Sequence, residues 1–327
     1  MTSPVVSPLP LALVVGGSRG LGLLIARELG QRGHRVVIAA RDPEELDRAR
    51  LQLAGNGLAV STQVCDVADE SDVNAMIDRV ESEVGPILVL LHVAGIISVG
   101  PLESMSRSDF REAIDIMLWG PINTSLAAVA HMKSRRSGRI GIVTSIGGLV
   151  SVPHLLPYST AKFGAVGFSR GLRAELAGSG ITVTTITPGL MRTGSHVRAK
   201  FVGKQRAEYA WFSASASLPL ISMDAERAAE HIVDGVLAGR ANVVLTPLAK
   251  IAMRVNGVAP STAAALLGVM ARVLPAPPKH TRTTPVEGRW IQRRLPPMAS
   301  GLVRRVTTLG ARAASRNNEQ PLWSGHR

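Results

Sequence analysis

Leu11-Ala12-Leu13-Val14-Val15-Gly16-Gly17-Ser18-Arg19-Gly20-Leu21-Gly22-Leu23-Leu24-Ile25-Ala26-Arg27-Glu28-Leu29 is the stretch on which the fold of this chain turns. Its first five residues are a short apolar run suited to a buried parallel strand. Its last seven continue a helical pattern that ends near Gly30 and Gly33. Between them, glycines at 16, 20 and 22 permit a tight turn and close backbone approach. The start of such a helix presents free N–H groups and a positive dipole end to a phosphate. A glycine cluster alone is weak evidence, but the strand before it and the helix after it supply the context a nucleotide loop requires.

The rest of the chain alternates in the same way. Strands are expected near 11–15, 35–40, 58–65, 87–92, 139–144, 181–186 and 242–246, and helices near 20–32, 43–54, 69–84, 107–133, 157–177 and 224–238. Alternation of this kind specifies a doubly wound α/β fold, a parallel sheet of about seven strands flanked by helices. Ligands bind such sheets beyond the carboxyl ends of the strands. The glycine loop, Asp66, Gly95, Ser145 and Pro188 all follow strand ends and so converge on one edge. The second strand, Arg35–Ala40, ends at Arg41. An acid at this place selects a free ribose 2′-hydroxyl, whereas an arginine accepts a 2′-phosphate. Ala40 holds the acid position and Arg19 and Arg41 lie nearby, so NADP(H) is favoured over NAD(H). Asp42-Pro43-Glu44-Glu45 reads as the cap and first turn of the next helix.

A second stretch carries chemistry. Tyr158 and Tyr209 are the only tyrosines, and Tyr158-Ser159-Thr160-Ala161-Lys162 places one of them four residues before a lysine, with Ser145 upstream. On a helix these two positions share a face, with Cβ atoms roughly 5–6 Å apart. An ammonium beside a phenol favours the phenolate. A tuned phenol serves where a carbonyl oxygen gains or loses a proton.

Taken together, these motifs resemble the short-chain dehydrogenase/reductase family over about residues 10–250. Gly16, Gly20 and Gly22 match its nucleotide loop, with Ser18, Arg19 and Leu21 between them. Cys65-Asp66-Val67 matches its Asp-Val pair, implying that Asp66 contacts adenine. Ala94-Gly95 matches the end of its Asn-Asn-Ala-Gly motif, and Pro188-Gly189 with Thr193 matches the segment over the nicotinamide. Ser145, Tyr158 and Lys162 match the catalytic serine, tyrosine and lysine. The resemblance implies a Rossmann-like fold in which Tyr158 exchanges the proton of a carbonyl or alcohol and Ser145 holds the same oxygen. Lys162 would bind the nicotinamide ribose and bias Tyr158 toward ionisation. The nicotinamide carries the hydride. Two departures stand out. Met117 occupies the place of an asparagine that supports a water chain from the lysine, and a thioether cannot replace an amide's hydrogen bonds. His92-Val93 replaces the Asn-Asn pair, and His92 is given no catalytic role. An NADP(H)-binding protein of this fold with impaired turnover is therefore one alternative reading, and a membrane-associated scaffold acting through the basic residues near its C-terminus is another.

Composition agrees with an enzyme of this kind. Hydrophobic residues make up 46% of 327 residues, and the single Cys65 suits a reducing, cytoplasmic compartment. Residues 1–10 lack a charged n-region and read as no signal peptide. No uninterrupted run of about 18 apolar residues marks a membrane span. Residues 194–223 correspond to the family's substrate lid. Phe201, Tyr209, Trp211 and Phe212 there suggest a bulky hydrophobic carbonyl or alcohol substrate, or else simply pack the lid onto the core. The first domain is set at 1–250, and residues 251–327 form an apolar helical stretch at 258–274 and a basic C-terminal extension. From Arg272 onward eleven Lys and Arg stand against two Glu, nine of the formal net charge of +13. This tail either is a solvated extension or attaches peripherally to an anionic membrane surface; nucleic acid is unlikely for want of a recognition motif. The family resemblance makes a homo-oligomer the default, and no metal site is expected.

Overall fold

The computed structural model describes residues 9–217, 222–278, 284–294 and 312–319. Seven strands form one parallel sheet: β1 (Leu11–Val15), β2 (Arg35–Ala40), β3 (Val60–Val64), β4 (Ile87–His92), β5 (Gly138–Val143), β6 (Ile181–Thr187) and β7 (Asn242–Val244). Their spatial order is β7-β6-β5-β4-β1-β2-β3, every neighbour parallel. The winding reverses between β1 and β4, where Val15 pairs with His92 on one side and Ala39 on the other. A crevice opens at such a switch point, beyond the carboxyl ends of the strands.

The pattern of burial follows from the pleat. Leu11, Leu13 and Val15 enter one hydrophobic layer with Val37 and Ala39, while Ala12 and Val14 enter the opposite layer with Val36 and Ile38. Alternate side chains point to opposite faces, and both faces are covered, so the strand is apolar throughout. One cover is α1 (Gly20–Gln31) packed on α8 (Ala225–Leu237). Between α1 and α8 in sequence lie α2 (Pro43–Ala54), α3 (Glu70–Arg79), α4 (Arg107–Ile114), α5 (Gly120–Ser134), α6 (Leu156–Glu175) and α7 (Gln205–Ser217). Asp42 caps α2 as its sequence implied, accepting the Glu45 N–H at 3.0 Å ahead of Pro43.

The expected helix over 107–133 is two helices, α4 and α5, joined through a five-residue π turn at Asp115–Trp119. Met117 lies in that turn. Such turns recur at functional sites because they re-aim one side chain. The run Arg107–Ser134 is long and apolar enough to cross a membrane, yet half of its most apolar window is buried inside the fold.

Residues beyond 246 add what the alternation did not specify. Helices α9 (Pro247–Val258) and α10 (Pro260–Val273) form a hairpin, α10 covering most of the predicted apolar stretch. Val286–Glu287 then pairs antiparallel with Lys200–Phe201, which pairs parallel with Ser98–Val99. A last helical turn over 312–316 returns to the glycine loop. Of the basic tail, Lys279, Arg282, Arg304, Arg305 and Arg327 lie outside the described residues.

Candidate active site

A cavity of about 650 Å³ lies at the switch point. Its wall includes Gly16, Ser18, Arg19, Gly20, Leu21, Gly22, Arg41, Val67, Ala94, Gly95, Ser145, Tyr158, Lys162, Pro188, Gly189 and Thr193, which come from beyond the carboxyl ends of β1 to β6 and from α6. Asp66 itself is not part of that wall, but its neighbours Cys65 and Val67 are. Its Oδ1 accepts the Ala68 N–H at 3.1 Å, so the carboxylate serves the local turn.

The glycine loop is drawn in too tightly on its neighbours to carry side chains. Gly16 sits at φ +84°, and a Cβ there would meet the Ala94 nitrogen at 2.5 Å. A Cβ at Gly22 would collide with the Gly16 carbonyl oxygen. This cradle fits the close backbone approach of a dinucleotide, whose phosphates would lie at the start of α1.

At the other end of the cavity, Ser145 follows β5 and Tyr158 and Lys162 lie in the first turns of α6. The Gly147 N–H donates to Ser145 Oγ at 3.0 Å, which leaves the hydroxyl proton free for the phenol oxygen. A Cβ on Gly147 would stand 3.1 Å from Tyr158 Cε1, so glycine lets the ring lie flat against the turn. Burial raises the Tyr158 pKa above its ordinary value and the Ser145 hydrogen bond pulls it back. Lys162 Nζ donates to the Val143 carbonyl at 2.8 Å and lies 5.9 Å from the centroid of the Tyr158 ring. Burial brings its pKa down to about 8. Burial thus works against the phenolate, and Tyr158 stands here as a phenol able to give up its proton.

Met117 is buried, and a Cβ on Gly95 would lie 3.4 Å from its sulfur and 3.9 Å from Lys162 Nζ. The thioether thus stands beside the lysine, as the sequence alignment placed it. His92 Nδ1 lies 3.0 Å from Thr124 Oγ1, and that hydroxyl donates to the Gly120 carbonyl at 2.9 Å. The hydroxyl proton is committed, so Nδ1–H donates and the ring is neutral. Burial, with the Lys162 charge, pushes His92 down to about 3. It is a structural donor.

The lid aromatics do not face the cavity. Phe201, Tyr209 and Phe212 are buried with Val99, Ala199 and Ile291 in a satellite core. Edge-to-face contacts at 5.5 and 5.9 Å join Phe201 to Tyr209 and Phe212. They pack the lid down, which removes the sequence argument for a bulky substrate. Leu218 lies outside the described residues.

Three groups that sequence reasoning missed complete the phosphate end. Glu45, read only as a first-turn residue, is buried. It accepts the Ser18 hydroxyl at 2.5 Å and Arg198 Nη2 at 2.9 Å, with Arg19 at 3.7 Å. Arg198 comes from the lid, and Glu319 comes from the C-terminal turn. No local signal marks the last two, because only the fold brings them to residue 19.

A doubly wound sheet with this glycine cradle and this wall of hydroxyl, phenol and amine defines the NAD(P)-binding oxidoreductases. Residues 10–200 match the family model for short chain dehydrogenase, and the chain belongs to that family. It is 34% identical over 198 residues to the granaticin polyketide synthase putative ketoacyl reductase 1 of Streptomyces violaceoruber, covering 59% of this chain and 73% of that one. It is 37% identical over 180 residues to the 3-oxoacyl-[acyl-carrier-protein] reductase of Bos taurus, covering 55% and 75%. Among solved structures, an actinorhodin polyketide ketoreductase variant with NADPH superposes with a TM-score of 0.64 at 27% identity, covering 72% of this chain and 95% of that one.

Proposed function

We propose that this protein reduces a carbonyl, or oxidises the matching secondary alcohol, with NADP(H). The observation that carries the reading is the convergence of Ser145, Tyr158 and Lys162 on one wall of a cavity whose other end is the glycine cradle. A bound nicotinamide supplies the hydride. Tyr158, protonated and hydrogen-bonded to Ser145, gives its proton to the carbonyl oxygen as charge develops there. Ser145 holds the same oxygen. Lys162, fixed by the Val143 carbonyl, keeps two further donors for a ribose hydroxyl and the phenol. Asp66 remains near the adenine end through its neighbours Cys65 and Val67, which line the cavity.

Arg19 and the exposed Arg41 support NADP(H) over NAD(H), while the buried Glu45 is the acid a free 2′-hydroxyl would meet. The arginines prevail in this reading because Arg198 already neutralises Glu45. Ile96, Ile97, Ile116 and Met191 line the cavity together with the Lys200–Glu112 ion pair and suit an apolar substrate that carries a polar group, and the relatives' names point to ketoacyl groups. Titrating the protein with NADPH and NADH, then assaying ketones and ketoacyl thioesters with the tighter cofactor, tests this. Tighter NADPH binding and reduction of a ketoacyl thioester are expected. NADPH binding without reduction of any carbonyl would defeat the reading.

Two associations go with it. Trp119, Leu126, Leu156 and Phe163 are exposed on or beside α5 and α6 and support a homo-oligomer through that face. Peripheral attachment to an anionic membrane gains support from the α9–α10 hairpin. Leu248, Ile251, Val255 and Val258 form one exposed stripe, and Leu266, Val269, Met270 and Val273 form another. The hairpin carries Lys250, Arg254 and Arg272 and no acid. Liposome co-sedimentation that survives removal of residues after 275 but is lost in Ile251→Glu assigns attachment to the hairpin; survival in both excludes it.

A further inference from the structure

The C-terminal turn sits on groups that the dinucleotide reading assigns to phosphate. The Gly20 N–H, one of the free donors at the start of α1, donates to the Asn317 carbonyl at 2.8 Å. The carboxylate of Glu319 lies over the same turn, so that a Cβ on Gly20 would stand 2.5 Å from its Oε1. Arg19 Nε is 3.8 Å from Glu319 Oε2, and Arg198 Nε donates to the Glu319 carbonyl oxygen at 3.0 Å. Four further bonds hold the segment. Asn318 Nδ2 donates to the Ser18 and Glu45 carbonyls at 2.9 and 3.2 Å. Asn317 Nδ2 donates to Thr193 O at 3.2 Å, and Gln52 Nε2 donates to Arg316 O at 2.9 Å. Asn317, Asn318 and Glu319 are all buried. The segment lies outside the residues that match the family model.

We propose that residues 312–319 are a built-in competitor of the cofactor: a carbonyl and a carboxylate that occupy the helix-start amide and the arginine pair until a dinucleotide phosphate displaces them. The reading rests on the proposed dinucleotide site. The competition is one of chemistry as well as space. A phosphate takes several donors at a helix start and binds guanidinium in two-point fashion. Glu319 makes a poorer set: its Oε2 has no hydrogen bond within the described residues, and its nearest guanidinium nitrogen is beyond hydrogen-bond range. Burial, with Glu45 nearby, raises its pKa to about 6 despite Arg19 and Arg198. The docked segment is thus well anchored through its asparagines and weakly satisfied at its carboxylate, which suits a latch that yields to a better anion. A competent fraction below one raises the apparent dissociation constant by the same factor.

NADPH fluorescence titration of three proteins tests this: the full chain, a chain ending at residue 311, and the full chain carrying Asn318→Ala. Removing the segment should tighten NADPH about tenfold, and Asn318→Ala, which deletes two hydrogen bonds of the latch, should tighten it about threefold to tenfold. Hydrogen exchange of the amides of residues 313–319 should quicken when NADPH is added to the full chain. Equal or weaker binding by both altered proteins would overturn the latch while leaving the dinucleotide site in place. Absence of NADPH binding in all three would overturn the site itself, and the latch with it.

Discussion

At one end of the cavity, Ser145, Tyr158 and Lys162 come from two consecutive elements and are joined by short local bonds through Gly147 and Val143. At the other end, Arg19, Glu45, Arg198 and Glu319 come from four segments spread over the whole chain and meet only in the folded molecule. The first end keeps donors in reserve: with Ser145 donating to Tyr158 and Lys162 to Val143, the phenol proton and the remaining ammonium protons are left for a ligand. The second end has turned its Gly20 N–H, Arg19 and Arg198 to the protein's own carboxylates and carbonyls. Chemistry is held ready at one end, and binding is regulated at the other.

Removing the phenol proton should break this division most sharply. Tyr158→Phe keeps the ring against Gly147 and deletes only the hydroxyl, so carbonyl reduction should fall about 10³-fold. NADPH affinity, measured by fluorescence, should change by less than about twofold, because the donors for phosphate lie at the far end. A parallel loss of affinity would show that the two ends are not separable.

Lys162 gives the next largest effect. Lys162→Met keeps the length of the side chain but leaves the buried Val143 carbonyl unpaired, costing about 1–3 kcal/mol in chemical denaturation. Turnover should fall about 10²-fold. Because burial lowers this amine from 10.5 to about 8, it holds its charge below pH 8 and loses it above. The profile of kcat/KM for NADPH, which reports the free enzyme, should therefore be flat near pH 7 and fall above pH 8. A profile that is level to pH 10 would exclude Lys162 as the charged partner.

The contrast between the ends also explains what was legible in the sequence. The catalytic end is written in i, i+4 spacing, in strand ends and in glycines, all of which are local. The same holds for β1, β2 and β4, whose apolar runs are long enough to specify buried parallel strands; the edge strand β3, Val-Ser-Thr-Gln-Val, is legible mainly from its place in the alternation. Met117 lies near Gly95 and Lys162, yet the π turn that carries it depends on how α4 and α5 pack and has no sequence signal. The lid aromatics misled because aromatic content says nothing of direction. Phe201, Tyr209 and Phe212 have Ile291, far along the chain, as a packing partner. Glu45 was read by its neighbours, Asp42 and Pro43, as part of a helix start, which it is; its second role needed Arg198. Asn317 and Glu319 lie in a stretch with no periodicity, and their place beside Gly20 is a tertiary fact alone.

The smallest expected effect sharpens the comparison further, because it separates the latch carboxylate from everything at the catalytic end. Docked, Glu319 has its pKa raised to about 6 from 4.5, so the docked segment takes up a proton over a range where the released one does not. Docking is therefore strengthened as pH falls through 6 and levels off below 4.5. The groups facing this carboxylate are Arg19, Arg198 and Glu45. The neighbouring lid histidine, His196, titrates near 4 and stays neutral across the window. The ratio of NADP⁺ dissociation constants, full chain over the chain ending at residue 311, cancels the titration of the ligand itself. That ratio should rise about fivefold to tenfold between pH 7.5 and pH 5. Glu319→Gln, which cannot titrate, should hold the ratio constant, and the same rise in that variant would place the titrating group elsewhere.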